Sequence, residues 1–131
     1  MRVIKGDVLR CTAPLQLCVD VPSAFEAAAH AMDNLFGCPS DQGILLIDAS
    51  NAFNSLNRIA ALHNIQRTCP ALSQVFENTY AKPVRLFVNG KEILSKEGTC
   101  QGDPLAMADY AVSTVPLIKQ LERTCPATTQ C

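Results

Sequence analysis

A run of four aliphatic residues that ends in an acid constrains this chain more than any other feature. Ile44 to Ile47 are apolar without alternation, which reads as a short strand buried on both faces. Asp48 follows directly. A carboxylate at the end of a buried strand loses hydration unless something pairs with it or the strand opens into water. Ala49 to Asn54 are small or polar apart from Phe53, and a helix-like pattern comes next. Strand, acid, turn and helix in that order is where open α/β sheets hold ligands and metals.

The rest of the chain supplies helices and one hairpin. Residues 1–22 read as an extended N-terminal segment, with Leu15 and Leu17 alternating as a short strand does. Ser23 and Glu26 have the spacing of a capping box for a helix that carries Phe25, Ala28, Ala29, Met32, Leu35 and Phe36 on its apolar side and stops at Gly37. Asn57 caps a helix from Arg58 to Arg67 with Ile59, Leu62, Ile65 and Gln66 on one face, and Pro70 opens another through Tyr80. Val84 to Val88, Asn89-Gly90 and Glu92 to Ser95 spell a hairpin with a type I′ turn. Pro104 stands in the first turn of a last helix through Leu121, with Pro116 as an interior kink. His30 and His63 read as surface or boundary residues.

Two punctuated stretches lie about fifty residues apart, Asp48-Ala49-Ser50-Asn51-Ala52-Phe53-Asn54 and Gln101-Gly102-Asp103-Pro104-Leu105. In order and spacing, with a helical segment and a hairpin between them, they resemble two successive palm motifs of reverse transcriptases, especially those of retrotransposons without long terminal repeats. The resemblance extends over roughly residues 13–122. It implies an α+β fold: a partial polymerase palm with a central strand, packed helices and a β-hairpin. Residues 1–22 would then be an extended lead and 23–131 a truncated fingers and palm domain. The family's next motif, an Ala-Asp-Asp hairpin, is not among the 131 residues. The expectation is therefore a fragment of an RNA-directed DNA polymerase that is inactive by itself.

The resemblance also assigns residues. Asp48 would be the catalytic acid that holds Mg²⁺ or Mn²⁺ in the complete nucleotidyltransferase, alongside the family's missing aspartates. Ala49, Ser50, Asn51 and Ala52 would turn backbone amides toward the triphosphate, and Phe53 would pack beneath the sugar. Gln101, Gly102, Asp103 and Pro104 would form the loop that orients the template and nucleotide. The complete enzyme would take an RNA template, a DNA primer and deoxynucleotides. Read from the residues alone, Asp48 is a water-exposed acid capping a loop amide and Phe53 an aromatic anchor for the turn. Asp103 then satisfies the first amides of a helix. Asn54 and Arg58 read as turn and helix-surface residues. Asp109 puts a charge where the family's helix is largely apolar, and if it faces the body it must be paired or protonated.

Composition narrows the partners. With a formal net charge of −1 and 48% hydrophobic residues, the chain lacks the basic face of a self-sufficient nucleic-acid binder, so only weak binding is expected. One carboxylate does not make a two-metal site, and no tightly held metal is expected. The seven cysteines, at 11, 18, 38, 69, 100, 125 and 131, form no CxxC pair, and read as free, partly buried thiols in an intracellular protein, nuclear or cytoplasmic. No secretory leader or membrane span is expected. A palm without its catalytic hairpin leaves an edge or apolar face for a second copy, giving a homo-oligomer. The alternative from another class is a non-catalytic structural or protein-interaction domain on the same scaffold. A metal hydrolase would need Asp48 to share an ion with Asp103 or Asp109.

Overall fold

The chain from Arg2 to Thr12 is helical, where an extended lead was expected. The reason is a period missed in the sequence: Ile4, Val8 and Cys11 recur at helical spacing, and all three pack into or against the core. The computed structural model describes residues 2–16, 22–37, 47–100 and 102–124. Its elements are α1 (Arg2–Thr12), α2 (Ala24–Gly37), α3 (Arg58–Thr68), α4 (Pro70–Tyr80), β1 (Val84–Val88), β2 (Lys91–Ser95) and α5 (Ala106–Thr124). This mixture of helices and a small antiparallel sheet is α+β in the coarse sense. Ile44 to Leu46 of the expected central strand lie outside the described residues. Ile47 belongs to no strand, and it is 73% exposed rather than buried.

The core is a helical one. Helix α3 packs on α4 and α5, and α1 packs on α4 and α5. Buried Ala61, Ile65 and Cys69 make one stripe, Leu72, Phe76 and Tyr80 another, and Val8 and Val112 close the cluster. Both stripes step by four residues, the helix repeat that stacks side chains on one face. The stripe on α3 is not the one expected, since Ile59 is 83% exposed. Removing those side chains from water supplies the main drive for folding, about 1.5–3 kcal/mol for each large one.

Polar side chains lock the helices in register. Asn57 Oδ1 accepts from the Ala60 amide at 2.9 Å and caps α3 as expected. Asn64 Nδ2 donates to the Ser113 carbonyl at 2.8 Å, and Gln16 Nε2 donates to the Ala111 carbonyl at 2.7 Å. Both carbonyls lie just before Pro116, which sits inside α5. Proline lacks the amide that would bond the Val112 carbonyl one turn back, and the two carbonyls bonded from outside flank that position.

The hairpin has the expected turn: Asn89 and Gly90 take φ of 50° and 72°, the positive values a type I′ turn requires. Strand β1 pairs antiparallel with β2, Val84 opposite Ser95 and Val88 opposite Lys91. Helix α2 starts differently from its sequence reading. Ser23 has φ 55°, whereas a capping-box serine is extended. The apolar side expected for α2 is largely unburied, with only Ala24 buried and Phe25 and Phe36 exposed.

Candidate functional site

The two motif-bearing stretches meet through their backbones. The Gly98 amide donates to the Leu56 carbonyl and the Thr99 amide to the Phe53 carbonyl, both at 2.8 Å. The approach is so close that a Cβ on Gly98 would lie 2.3 Å from the Asn54 carbonyl oxygen, and Gly98 has φ 72°. Only glycine fits both the backbone angle and the gap.

Arg58 holds this junction from inside. It was read as a helix-surface residue, and it is buried instead, at 7% exposure. Its Nε donates to the Gly98 carbonyl at 2.7 Å and Nη1 to the Ser95 carbonyl at 2.8 Å. Nη2 reaches Ser95 Oγ at 2.9 Å and the Glu97 carbonyl at 3.1 Å. These acceptors are carbonyls and a hydroxyl, so fixed dipoles rather than a carboxylate solvate the guanidinium. The planar fork suits that task and a lysine ammonium does not. The one hint in the sequence was position: a cation in the first turn of a helix opposes the helix dipole, and is better placed there when something else binds it.

A second chain of contacts ties the loop after Cys100 to α4. The Arg58 guanidinium lies over the Tyr80 ring, 5.0 Å from its centroid. The Tyr80 hydroxyl donates to Asp103 Oδ2 and accepts from the Cys100 amide at 3.0 Å. Burial first, and then the bond to Asp103, push the Tyr80 hydroxyl pKa well up, which keeps it a donor. Asp103 Oδ1 accepts from the Leu105 amide at 2.8 Å. Asp103 therefore satisfies amides at the entry of α5, the plain structural role read from its position.

The predicted site residues divide into two groups. Phe53 and Asp103 belong to the junction, together with Asn54, a turn residue in the sequence reading. Phe53 stacks at a tilt on Tyr110 of α5, with ring centroids 5.1 Å apart, so it anchors the turn to the last helix. Asn54 Nδ2 donates to Asn51 Oδ1 at 2.6 Å, and Asn51 has φ 51°. Asp48, Ala49, Ser50 and Asn51 are exposed ahead of the junction, with Ala52 half-buried. Gly102 and Pro104 are exposed beside it, and Gln101 lies outside the described residues. An open pocket of about 420 Å³ lies against the junction, lined by Asn54, Leu86, Ser95, Glu97, Thr99 and Cys100.

The acids of this region do not make a two-metal site by themselves. Asp48 is exposed, Asp103 is engaged by Tyr80 and Leu105, and Asp109 is 2% exposed with Oδ1 unpartnered. Burial first, and then the charge of Asp103, push the Asp109 carboxyl up to about 7. Asp109 faces the body and rests in its protonated form below that pH, as a buried acid without a cation must. Among the described residues, no group of three His, Cys, Asp or Glu side chains could hold a metal ion, and no helix is long and apolar enough to cross a membrane. Thr99 Oγ1 is also buried and unpartnered.

Comparison of the chain with protein-family models, with curated proteins and with solved structures finds no match.

Proposed function

We propose that this chain is part of the fingers and palm of an RNA-directed DNA polymerase of the non-long-terminal-repeat retrotransposon kind. One observation carries the reading. The stretch after Asp48 and the stretch before Gly102 are hydrogen-bonded side by side at Phe53–Thr99 and Leu56–Gly98. A nucleotide pocket built from those two motifs requires that adjacency. In this reading Asp48 is the acid of the first motif, Phe53 sets the floor beside it, and residues 101–104 orient the template and nucleotide. Mg²⁺ or Mn²⁺ enters only with further carboxylates, because Asp48 is exposed, Asp103 engaged and Asp109 buried.

The test is primer extension on an RNA template with Mg²⁺ or Mn²⁺. It compares the 131 residues with a longer chain that continues through an Ala-Asp-Asp hairpin and the remaining polymerase region. Extension by the longer chain alone, abolished by Asp48→Asn, is the expected result. A folded, nucleic-acid-binding longer chain that extends nothing would overturn it.

A second reading, a non-catalytic protein-interaction domain on the same scaffold, has its own observation. The hairpin exposes Leu86, Phe87, Val88, Ile93 and Leu94, a larger apolar group than a chain in water usually leaves uncovered. Inactivity of the longer chain together with concentration-dependent self-association would favour it.

A further inference from the structure

Two cysteines distant in sequence come together at the corner where α3 turns into α4. Cys11, on the last turn of α1, is half-buried, and its Sγ donates to the Thr68 carbonyl at 2.8 Å. That carbonyl belongs to the peptide group leading into Cys69. Cys69 is 1% exposed and is at once the C-cap of α3 and the N-cap of α4, where it makes no side-chain capping bond. The Cys11 sulfur therefore lies against the peptide group whose nitrogen is that of Cys69. Cys11 packs against the same core cluster in which Cys69 sits, so both side chains are held in place by packing and not by chance encounter.

We infer that Cys11 and Cys69 are a redox-modification site, oxidised by a low-molecular-weight disulfide such as oxidised glutathione to a bridge that pins α1 to the α3–α4 corner.

The order of events follows from exposure. Cys11 is the sulfur a reagent reaches. It loses its proton to solvent, and its thiolate attacks one sulfur of the small disulfide. The reagent's S–S bond breaks, and the first small thiolate leaves and takes up a proton. Cys69 then gives up its proton and its sulfur attacks the Cys11 sulfur, expelling the second small thiolate, which is protonated in turn. Two protein thiols are oxidised and one small disulfide is reduced to two thiols. Burial first, and then the neighbouring Cys11, hold the Cys69 thiol pKa up, which keeps it protonated and unreactive until a mixed disulfide on Cys11 stands beside it. A bridge between positions so far apart in the chain closes a long loop and restricts the unfolded state strongly.

The experiment exposes the folded chain to oxidised glutathione, quenches with acid, alkylates and maps the peptides. The wild-type chain is expected to give a Cys11–Cys69 bridge as its first intramolecular product. Its thermal midpoint should rise by roughly 10 °C, reversibly with reductant. Cys69→Ala should instead accumulate glutathione on Cys11. The bridge should vanish in Cys11→Ser and persist in Cys18→Ser and Cys100→Ser, which also resolves peptides that carry more than one cysteine. Peptide mapping of the wild-type chain decides the matter even where a variant fails to fold. A stable glutathione adduct on wild-type Cys11, or bridges to other cysteines forming as fast, would overturn the inference.

Discussion

The junction between residues 53–58 and 95–105 and the hairpin that adjoins it share residues at Ser95, yet they are built on opposite terms. At the junction Arg58, Gly98 and Thr99 are buried, and backbone donors find backbone acceptors across forty residues of sequence. In the hairpin the ladder is complete, but Leu86, Phe87, Val88, Ile93 and Leu94 face water. The ion pair across its strands, Arg85 to Glu92 at 3.3 Å, is itself exposed, and pairs of that kind contribute little. The comparison teaches that the chain invests its specific contacts where the two motifs meet, while the hairpin beyond Ser95 carries its own ladder and an exposed apolar surface. Perturbations should therefore be felt unequally in the two regions.

The largest effect should come from Gly98→Ala. A methyl there meets the Asn54 backbone and the residue keeps a positive φ, so the junction must part at a cost of about 4 kcal/mol. Chemical denaturation measures it, and a loss under 1 kcal/mol would mean the two stretches are not held so closely. Arg58→Lys should follow at about 2 kcal/mol, because one ammonium cannot reach the carbonyls of Ser95, Glu97 and Gly98 together. Loss of protection in residues 95–100 without loss in α4 would sharpen the same point.

Asp109→Asn should act in the other direction, and only at higher pH. The folded-state value of about 7 lies above the ordinary 3.8, so the folded chain holds this proton more tightly than the unfolded one. That contribution is fully present below pH 3.8 and is lost as pH rises to about 7. Asparagine has the acid's shape without the charge. At pH 8 it should stabilise the chain by a few kcal/mol, with the difference closing by pH 4, as thermal melts across that range would record. A pH-independent difference would remove the buried charge from the account. The smallest effect belongs to Phe87→Ser, at 72% exposure: under about 0.5 kcal/mol on stability. If it destabilises by several times that amount, the hairpin is covered in solution.

Much of the local structure could be read from single residues. Asn57 caps α3, Pro70 opens α4, and Asn89-Gly90 turns the hairpin, because each of these acts within four residues of itself. Helix α1 was equally legible in its Ile4, Val8 and Cys11 spacing, and was missed because polar residues between them masked the period. Arg58 was legible only in hindsight, since its partners lie 37 to 40 residues away and are mostly backbone carbonyls that any sequence provides. The exposure of Ile47 was not legible at all: an aliphatic run announces burial, and nothing at its last residue marks that residue as exposed. For the candidate site, the adjacency of the two stretches was not legible, because backbone hydrogen bonds across more than forty residues make it, while the plain role of Asp103 followed from its place before a helix.

Native-state hydrogen exchange at the Gly98, Thr99 and Cys100 amides tests the central claim most directly. If the two motif stretches form one locked unit, these amides exchange as slowly as those of Ile65 and Val112 in the helical core, and Arg58→Lys speeds all three together. Exchange at the rate of the exposed hairpin amides, unchanged by Arg58→Lys, would contradict the account and leave the two motifs as neighbours in sequence order only.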